Sequence, residues 1–286
     1  MSTLRLSIIG VGLLGGSLGL AAKRRLTDCH ITGYGHRPET LELAIKLGAI
    51  DQARPSAAEA VAEADMVVLA TPVGLFEALL REIAPVLKPG AVVTDVGSTK
   101  RSVVLLAEQI LPPTAKFVGS HPMAGSEKRG VEFASADLFE GALCLLTPTP
   151  TSDEAAVEAV RHLWKSLGMR LMDLSPDEHD RAVAEISHVP HAVAAALVSL
   201  PLESSLAVAG KGFADATRIA AGDGGLWRDI LLDNGDHVRA SIDTLIGHLQ
   251  TLSSLIERKE AEALKRWLDQ AAERRSRLNG KSGQGG

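Results

Sequence analysis

Short, nearly unbroken apolar runs alternate with longer stretches in which apolar residues recur every three or four positions along the first 175 residues. The apolar runs at 4–9, 30–34, 66–70, 91–95, 116–120, 142–147 and 170–174 predict strands. The stretches at 15–26, 39–47, 73–87, 100–110 and 153–167 predict helices between them. Strands without polar alternation, separated by helices, predict a mostly parallel, doubly wound α/β sheet covered on both faces. From Ser175 onward the strand pattern disappears. Val238, Ile242, Leu245, Leu249, Leu252 and Ile256 hold one helix face apolar for several turns. We therefore expect a doubly wound domain over 1–175, an all-α domain over 176–278 and a disordered Gly/Ser-rich tail over 279–286. The long stripe suggests burial against a second copy of the chain, although packing within one chain also accounts for it.

Composition narrows the partners. The 286 residues are 45% hydrophobic and 23% charged, with a net charge of −5, giving no basis for nucleic-acid or anionic-membrane binding. No apolar run approaches the length of a membrane span. Two cysteines, Cys29 and Cys144, fit a reduced cytoplasmic protein better than a disulfide scaffold. The first strand pattern begins at Leu4, leaving no stretch for a leader.

Gly10-Val-Gly12-Leu-Leu14-Gly15-Gly16 follows the first strand and opens the first helix. Such glycines permit a tight turn and close backbone approach, and the helix start offers N–H groups to a pyrophosphate. In this strand–turn–helix setting the pattern predicts a Rossmann-type dinucleotide site. A turn needing glycine only for packing is the plainer alternative. The second strand ends not in an acid but in Gly33-Tyr-Gly35-His36-Arg37. An acid would hold the ribose hydroxyls of NAD; its absence, with His36 and Arg37 adjacent, favours NADP, with NAD as the alternative. Thr71 and Pro72 end the 66–70 run, at the sheet edge where the nicotinamide half would lie.

Candidate chemistry lies beyond that edge. In Gly119-Ser-His121-Pro-Met-Ala-Gly-Ser-Glu127-Lys128, a histidine stiffened by the next-residue proline sits in a loop of small residues. Beside a redox cofactor it is placed for proton transfer. Asp95-Val-Gly-Ser98-Thr-Lys100 offers a hydroxyl that would bond substrate or nicotinamide, or cap the following helix. His188 and His191 share a helix face, with Pro190 predicted to kink that helix. They read as interior histidines or substrate contacts; no third residue at a suitable spacing supports a metal. Arg218, three residues after Asp215, suits a carboxylate grip or a local ion pair, and Trp227 suits core packing or ligand cover.

Taken in order, Gly10-x-Gly-x-x-Gly, Asp95-x-Gly-Ser-x-Lys, Gly119-Ser-His-Pro-Met-Ala-Gly-Ser-Glu-Lys, Ser187-His-x-Pro-His, Gly212-Phe-x-Asp-x-Thr-Arg-Ile-Ala and Trp227-Arg-Asp resemble the prephenate/arogenate dehydrogenase family. The resemblance spans nearly the whole chain. It implies a homodimer that converts prephenate, or alternatively arogenate or both, by hydride transfer to NAD(P) and loss of CO2. It places His121 as the base, with Ser98 on the same substrate hydroxyl. Arg218 would hold a carboxylate, His191 would meet the substrate side chain or a carboxylate, and His188 and Trp227 would line the site. Glu127 and Asp215 would belong to a surrounding ion network. The presence of His191 favours prephenate. Two rivals keep the architecture: a β-hydroxyacid or imine reductase using Lys211, and a non-catalytic NADP-sensing dimer. Neither gives the 119–132 segment a task.

Overall fold

The computed structural model describes residues 3–125 and 128–281. The chain forms two compact units, Met1–His237 and Val238–Gly286. The first begins with β1 (Leu4–Ile9), α1 (Leu13–Arg25), β2 (Cys29–Tyr34), α2 (Pro38–Lys46), β3 (Gln52–Ala53) and α3 (Ala57–Val61). Next come β4 (Met66–Leu69), α4 (Phe76–Ile83), β5 (Val92–Asp95), α5 (Arg101–Ile110) and β6 (Lys116–Phe117). These six strands form one parallel sheet in the order β3-β2-β1-β4-β5-β6. The strand order reverses between β1 and β4, so their carboxyl ends flank a crevice.

The absence of polar alternation in the strands has its reason in two cores, one per sheet face. Leu6, Ile8 and Val68 pack into one with α1, while Ile9, Val67 and Leu69 pack into the other with α3 and α4. The central strands β1 and β4 are therefore apolar on both sides. The β1–α1 turn depends on glycine at two positions. Gly10 has φ +103°, and a Cβ there would lie 2.7 Å from the Ala70 backbone; a Cβ at Gly15 would lie 2.1 Å from the Gly10 carbonyl oxygen.

The apolar run expected as one strand over 116–120 is two. Val118 still donates to Val93 O at 3.0 Å, and the chain then leaves the parallel sheet. β7 (Gly119–Pro122) instead pairs antiparallel with β8 (Leu143–Thr147), which pairs parallel with β9 (Arg170–Asp173) after α6 (Glu154–Ser166). His121 thus lies in a strand rather than in the loop that its small neighbours suggested.

After β9 the chain is helical: α7 (Pro176–Val183), α8 (Val189–Val198), α9 (Glu203–Leu206), α10 (Lys211–Thr217) and α11 (Gly224–Asp233). Between α7 and α8, Ala184–His188 forms one π-helical turn. Pro190, in the first turn of α8, lacks an N–H and crowds the carbonyl four residues back, so the expected kink takes the form of this wider turn.

The second unit holds most of α12 (Gly235–Glu257) and α13 (Ala261–Lys281). Leu249 and Ile256 of the sequence-predicted stripe are exposed. α13 continues through Lys281, beyond Asn279 where a disordered tail was expected; residues 282–286 lie outside the described residues. Among the described residues no helix is long and apolar enough to cross a membrane.

Candidate active site

The carboxyl ends of β1, β4 and β5 carry the predicted cofactor and hydroxyl-binding residues side by side. Thr71 follows β4 so closely against the first turn that its Cγ2 would lie 2.8 Å from a Cβ at Gly10. Gly12 caps α1 without any side-chain bond to the helix start, and a Cβ there would have nothing within 4 Å. Open space before unsatisfied helix N–H groups is what a pyrophosphate requires, so these residues fit a dinucleotide. Leu14 is half-buried against the core, Pro72 is exposed, and His36 and Arg37 are exposed after β2. Arg37 is the residue preceding α2.

A buried polar cluster fixes β7 to the end of β5. The Asp95 carboxylate accepts from Gly97 N at 2.8 Å and Ser120 N at 3.1 Å, and it pairs with fully buried Lys100. Ser120 Oγ donates to Asp95 O at 2.5 Å and accepts from Trp164 Nε1 at 2.9 Å. Burial pushes the Asp95 carboxyl up, against the pull of Lys100 and the two N–H donors toward the anion. Ser120 is held from three sides, and His121 is the next residue. Ser98 sits half-buried in the β5–α5 loop. The alternative that it caps α5 does not hold, because Lys100 occupies the cap position and no side chain of the loop bonds the helix start. Asp180 does this from α7, accepting from Lys100 N at 2.7 Å and Arg101 N at 2.9 Å.

His121 is 9% exposed. Its Nδ1 meets His179 Nε2 at 2.9 Å, and His179 Nδ1 meets Asp180 Oδ1 at 2.8 Å. Burial first, then the neighbouring His179, Lys100 and His188, hold its pKa well below the ordinary 6.5, so it is neutral at neutral pH. His188 is buried, its Nδ1 accepting from Asn234 Nδ2 at 3.1 Å, and burial pulls its pKa down to about 4. The same Asn234 amide donates to Asp180 O at 2.7 Å.

The helical wall brings a second predicted group together. The His191 ring stacks on Trp227 with centroids 3.5 Å apart and planes 10° from parallel, and His188 meets the edge of Trp227 at 6.2 Å. Gly222 makes this packing fit: a Cβ there would lie 2.5 Å from Trp227 Nε1 and 2.9 Å from His191 Cε1. Arg218 begins a short 3-10 turn, Arg218–Ala221, that packs on α8 beside His191; Arg218 and Asp215 are both exposed. Glu127 lies outside the described residues. Among the described residues no cluster of His, Cys, Asp or Glu is spaced to hold a metal.

Sequence reasoning missed His179, Asp180 and Asn234. Pro176-Asp-Glu-His-Asp-Arg reads as the solvated first turn of a helix, complete with the Ser175–Glu178 capping box that the structure contains. Yet His179 is fully buried and Asp180 nearly so. A His-Asp pair just past the last strand was the available signal.

A dinucleotide crevice, a buried neutral histidine beside it and an arginine on a following helical wall define a Rossmann-type dehydrogenase with an α-helical second part. Residues 18–173 match the family model "Prephenate dehydrogenase, nucleotide-binding domain", and residues 175–270 match "Prephenate dehydrogenase, dimerization domain". The prephenate dehydrogenase of Bacillus subtilis is 40% identical over 280 residues, covering 95% of this chain and 75% of that protein. The crystal structure of A. aeolicus prephenate dehydrogenase with hydroxyphenyl propionate and NAD+ superposes with a TM-score of 0.91 at 35% identity, covering 97% and 99% of the two chains. Synechocystis arogenate dehydrogenase superposes at 0.83 with 30% identity, covering 96% and 100%. The chain belongs to the prephenate dehydrogenase family of oxidoreductases, and its helical part carries the family's dimerization domain. This membership sets aside the reductase reading based on Lys211 and the non-catalytic sensor.

Proposed function

We propose that the protein oxidatively decarboxylates prephenate to 4-hydroxyphenylpyruvate, working as a homodimer in the cytoplasm. The observation that carries the reaction is His121: neutral, buried and fixed through its Nδ1, it has Nε2 available to take the proton of the ring hydroxyl. Ser98, in the loop after β5, hydrogen-bonds that same hydroxyl. Arg218 grips a substrate carboxylate, since a guanidinium presents paired donors to a planar anion. His191, held flat by Trp227, contacts the substrate side chain, and His188 keeps this wall in place. Asp215 belongs to a surrounding ion network. CO2 departs as the ring becomes aromatic, which makes the overall step irreversible. A bound dinucleotide would supply the hydride acceptor, and Gly10, Gly12, Leu14, Gly15, Thr71 and Pro72 would hold it.

NADP is the preferred dinucleotide in this reading. What supports this is that β2 ends at Tyr34 without a carboxylate and is followed by exposed His36 and Arg37, a ring N–H and a guanidinium suited to a 2′-phosphate. The arogenate reading has its own support in the likeness to the Synechocystis enzyme. The two free cysteines, one of them buried, suit a reducing compartment. Four initial rates, prephenate or arogenate with NADP or NAD, test the whole reading. The expected maximum is prephenate with NADP; a maximum with arogenate or NAD corrects the substrate or cofactor alone, and no turnover in any pairing refutes the function.

A further inference from the structure

We propose that His179 and Asp180 are positioning residues that fix the tautomer of His121, so that its Nε2 always presents a lone pair to the substrate hydroxyl. The inference rests on the reading of His121 as the base, but its geometry is independent of turnover. Three side chains form one continuous chain of hydrogen bonds, His121 Nδ1 to His179 Nε2 at 2.9 Å and His179 Nδ1 to Asp180 Oδ1 at 2.8 Å.

The proton positions follow from one end. Asp180 is held as the anion: its two oxygens accept from the backbone N–H groups of Lys100 and Arg101 at the start of α5, and a carboxylate in such a site loses its proton more readily than usual. An anion can only accept, so His179 must donate from Nδ1. His179 is neutral, because burial pulls its pKa down despite Asp180, and a neutral imidazole that donates from Nδ1 must accept at Nε2. The donor to that nitrogen is His121 Nδ1–H. Neutral His121 then has its lone pair on Nε2, the only arrangement in which it serves as a base from that atom.

During the reaction the substrate O–H bond breaks, its electron pair stays on oxygen, and an Nε2–H bond forms on His121. The resulting imidazolium keeps its Nδ1–H bond to His179, and the negative charge of Asp180 lies at the far end of the same chain. No proton need travel past His121. Lys100 and His188 disfavour the imidazolium; Asp95 is paired with Lys100, and Asp180, bonded to His179, is the anion at the end of the hydrogen-bond chain.

The same carboxylate also caps α5, the helix following the Ser98 loop, so the two groups meant for the substrate hydroxyl share one anchor.

The test needs a readout that loss of folding does not mimic. Long-range 1H–15N correlation of histidine-labelled wild-type protein at about pH 8, where ordinary histidines are neutral, reports each ring's tautomer, with assignments from the His121→Asn and His179→Gln spectra. Both His121 and His179 are expected to carry the proton on Nδ1; a proton on Nε2 of His121 overturns the proposal. Kinetics supply the second arm. His179→Gln retains an oxygen that accepts from His121 Nδ1–H and should keep kcat within about tenfold, whereas His179→Leu should lose about 100-fold with KM little changed. Equal losses in both variants would overturn the proposal. If wild-type enzyme failed to oxidise prephenate while both tautomers were as expected, the functional reading would fall and this one would stand.

Discussion

The two walls of the candidate site are built on opposite terms. The sheet wall, at the ends of β5 and β7, is largely buried and bonded: Lys100 and Asp95 are fully enclosed, Ser120 is held by Asp95 and Trp164, and His121 is clasped by His179. The helical wall pairs the buried His191 with a half-exposed Trp227 and carries the solvent-exposed Arg218 and Asp215. Proton transfer demands a fixed geometry and a tuned pKa, both of which come from burial. Capture of a doubly charged substrate from water demands reach and an exposed cation. The contrast predicts that damage to the sheet wall appears in kcat and damage to the helical wall appears in KM.

The largest effect is expected from the sheet wall. His121→Asn removes the base but leaves an amide of similar shape, and kcat should fall by at least ~100-fold with KM little changed. Steady-state rates with prephenate check this, and a near-normal kcat would refute the assignment. An effect of comparable size is expected in stability. His188, whose pKa falls from 6.5 to about 4, is neutral when folded, while an unfolded chain takes up a proton below pH 6.5. Stability is therefore complete above pH 6.5 and is lost as pH falls toward 4, by about 3 kcal/mol for this group. His121 and His179 are shifted the same way and add to the loss. Urea midpoints from pH 7 down to 4 should drop steadily; a level profile would mean that these rings are not buried neutral. The helical wall should give the smallest change. Arg218→Ala should raise KM for prephenate about tenfold while kcat changes less, since the guanidinium acts on the bound anion. If kcat fell and KM held, the division of labour between the walls would be wrong.

How far the sequence revealed these walls follows the same division. The parallel sheet was legible because its central strands β1 and β4 are apolar on both faces, as the two cores require. The glycines of the first turn, His121, Ser98 and the His188–His191 pair were legible because their chemistry is rare at such spacings. Three things were hidden. The chain switches sheets between Val118 and Gly119 without any break in apolar character, so 116–120 reads as one strand. The two-residue β3 is too short for any periodicity. Asp180 and His179 belong to a turn with a solvated pattern, and only the tertiary fold shows that α7 brings them under α5 and beside His121. Hydropathy records what a residue usually does; a buried carboxylate that caps a helix distant in sequence is an exception by construction.

The most direct test of the buried neutral base is the pH dependence of kcat/KM for prephenate, which reports the ionisation of the free enzyme. With His121 held well below its ordinary pKa, the rate should be level through neutral pH and decline only in acid, below 6.5, and that acid limb should vanish in the residual activity of His121→Asn. A half-maximal rate at or above pH 6.5 in the wild type, or an acid limb unchanged in His121→Asn, would contradict it.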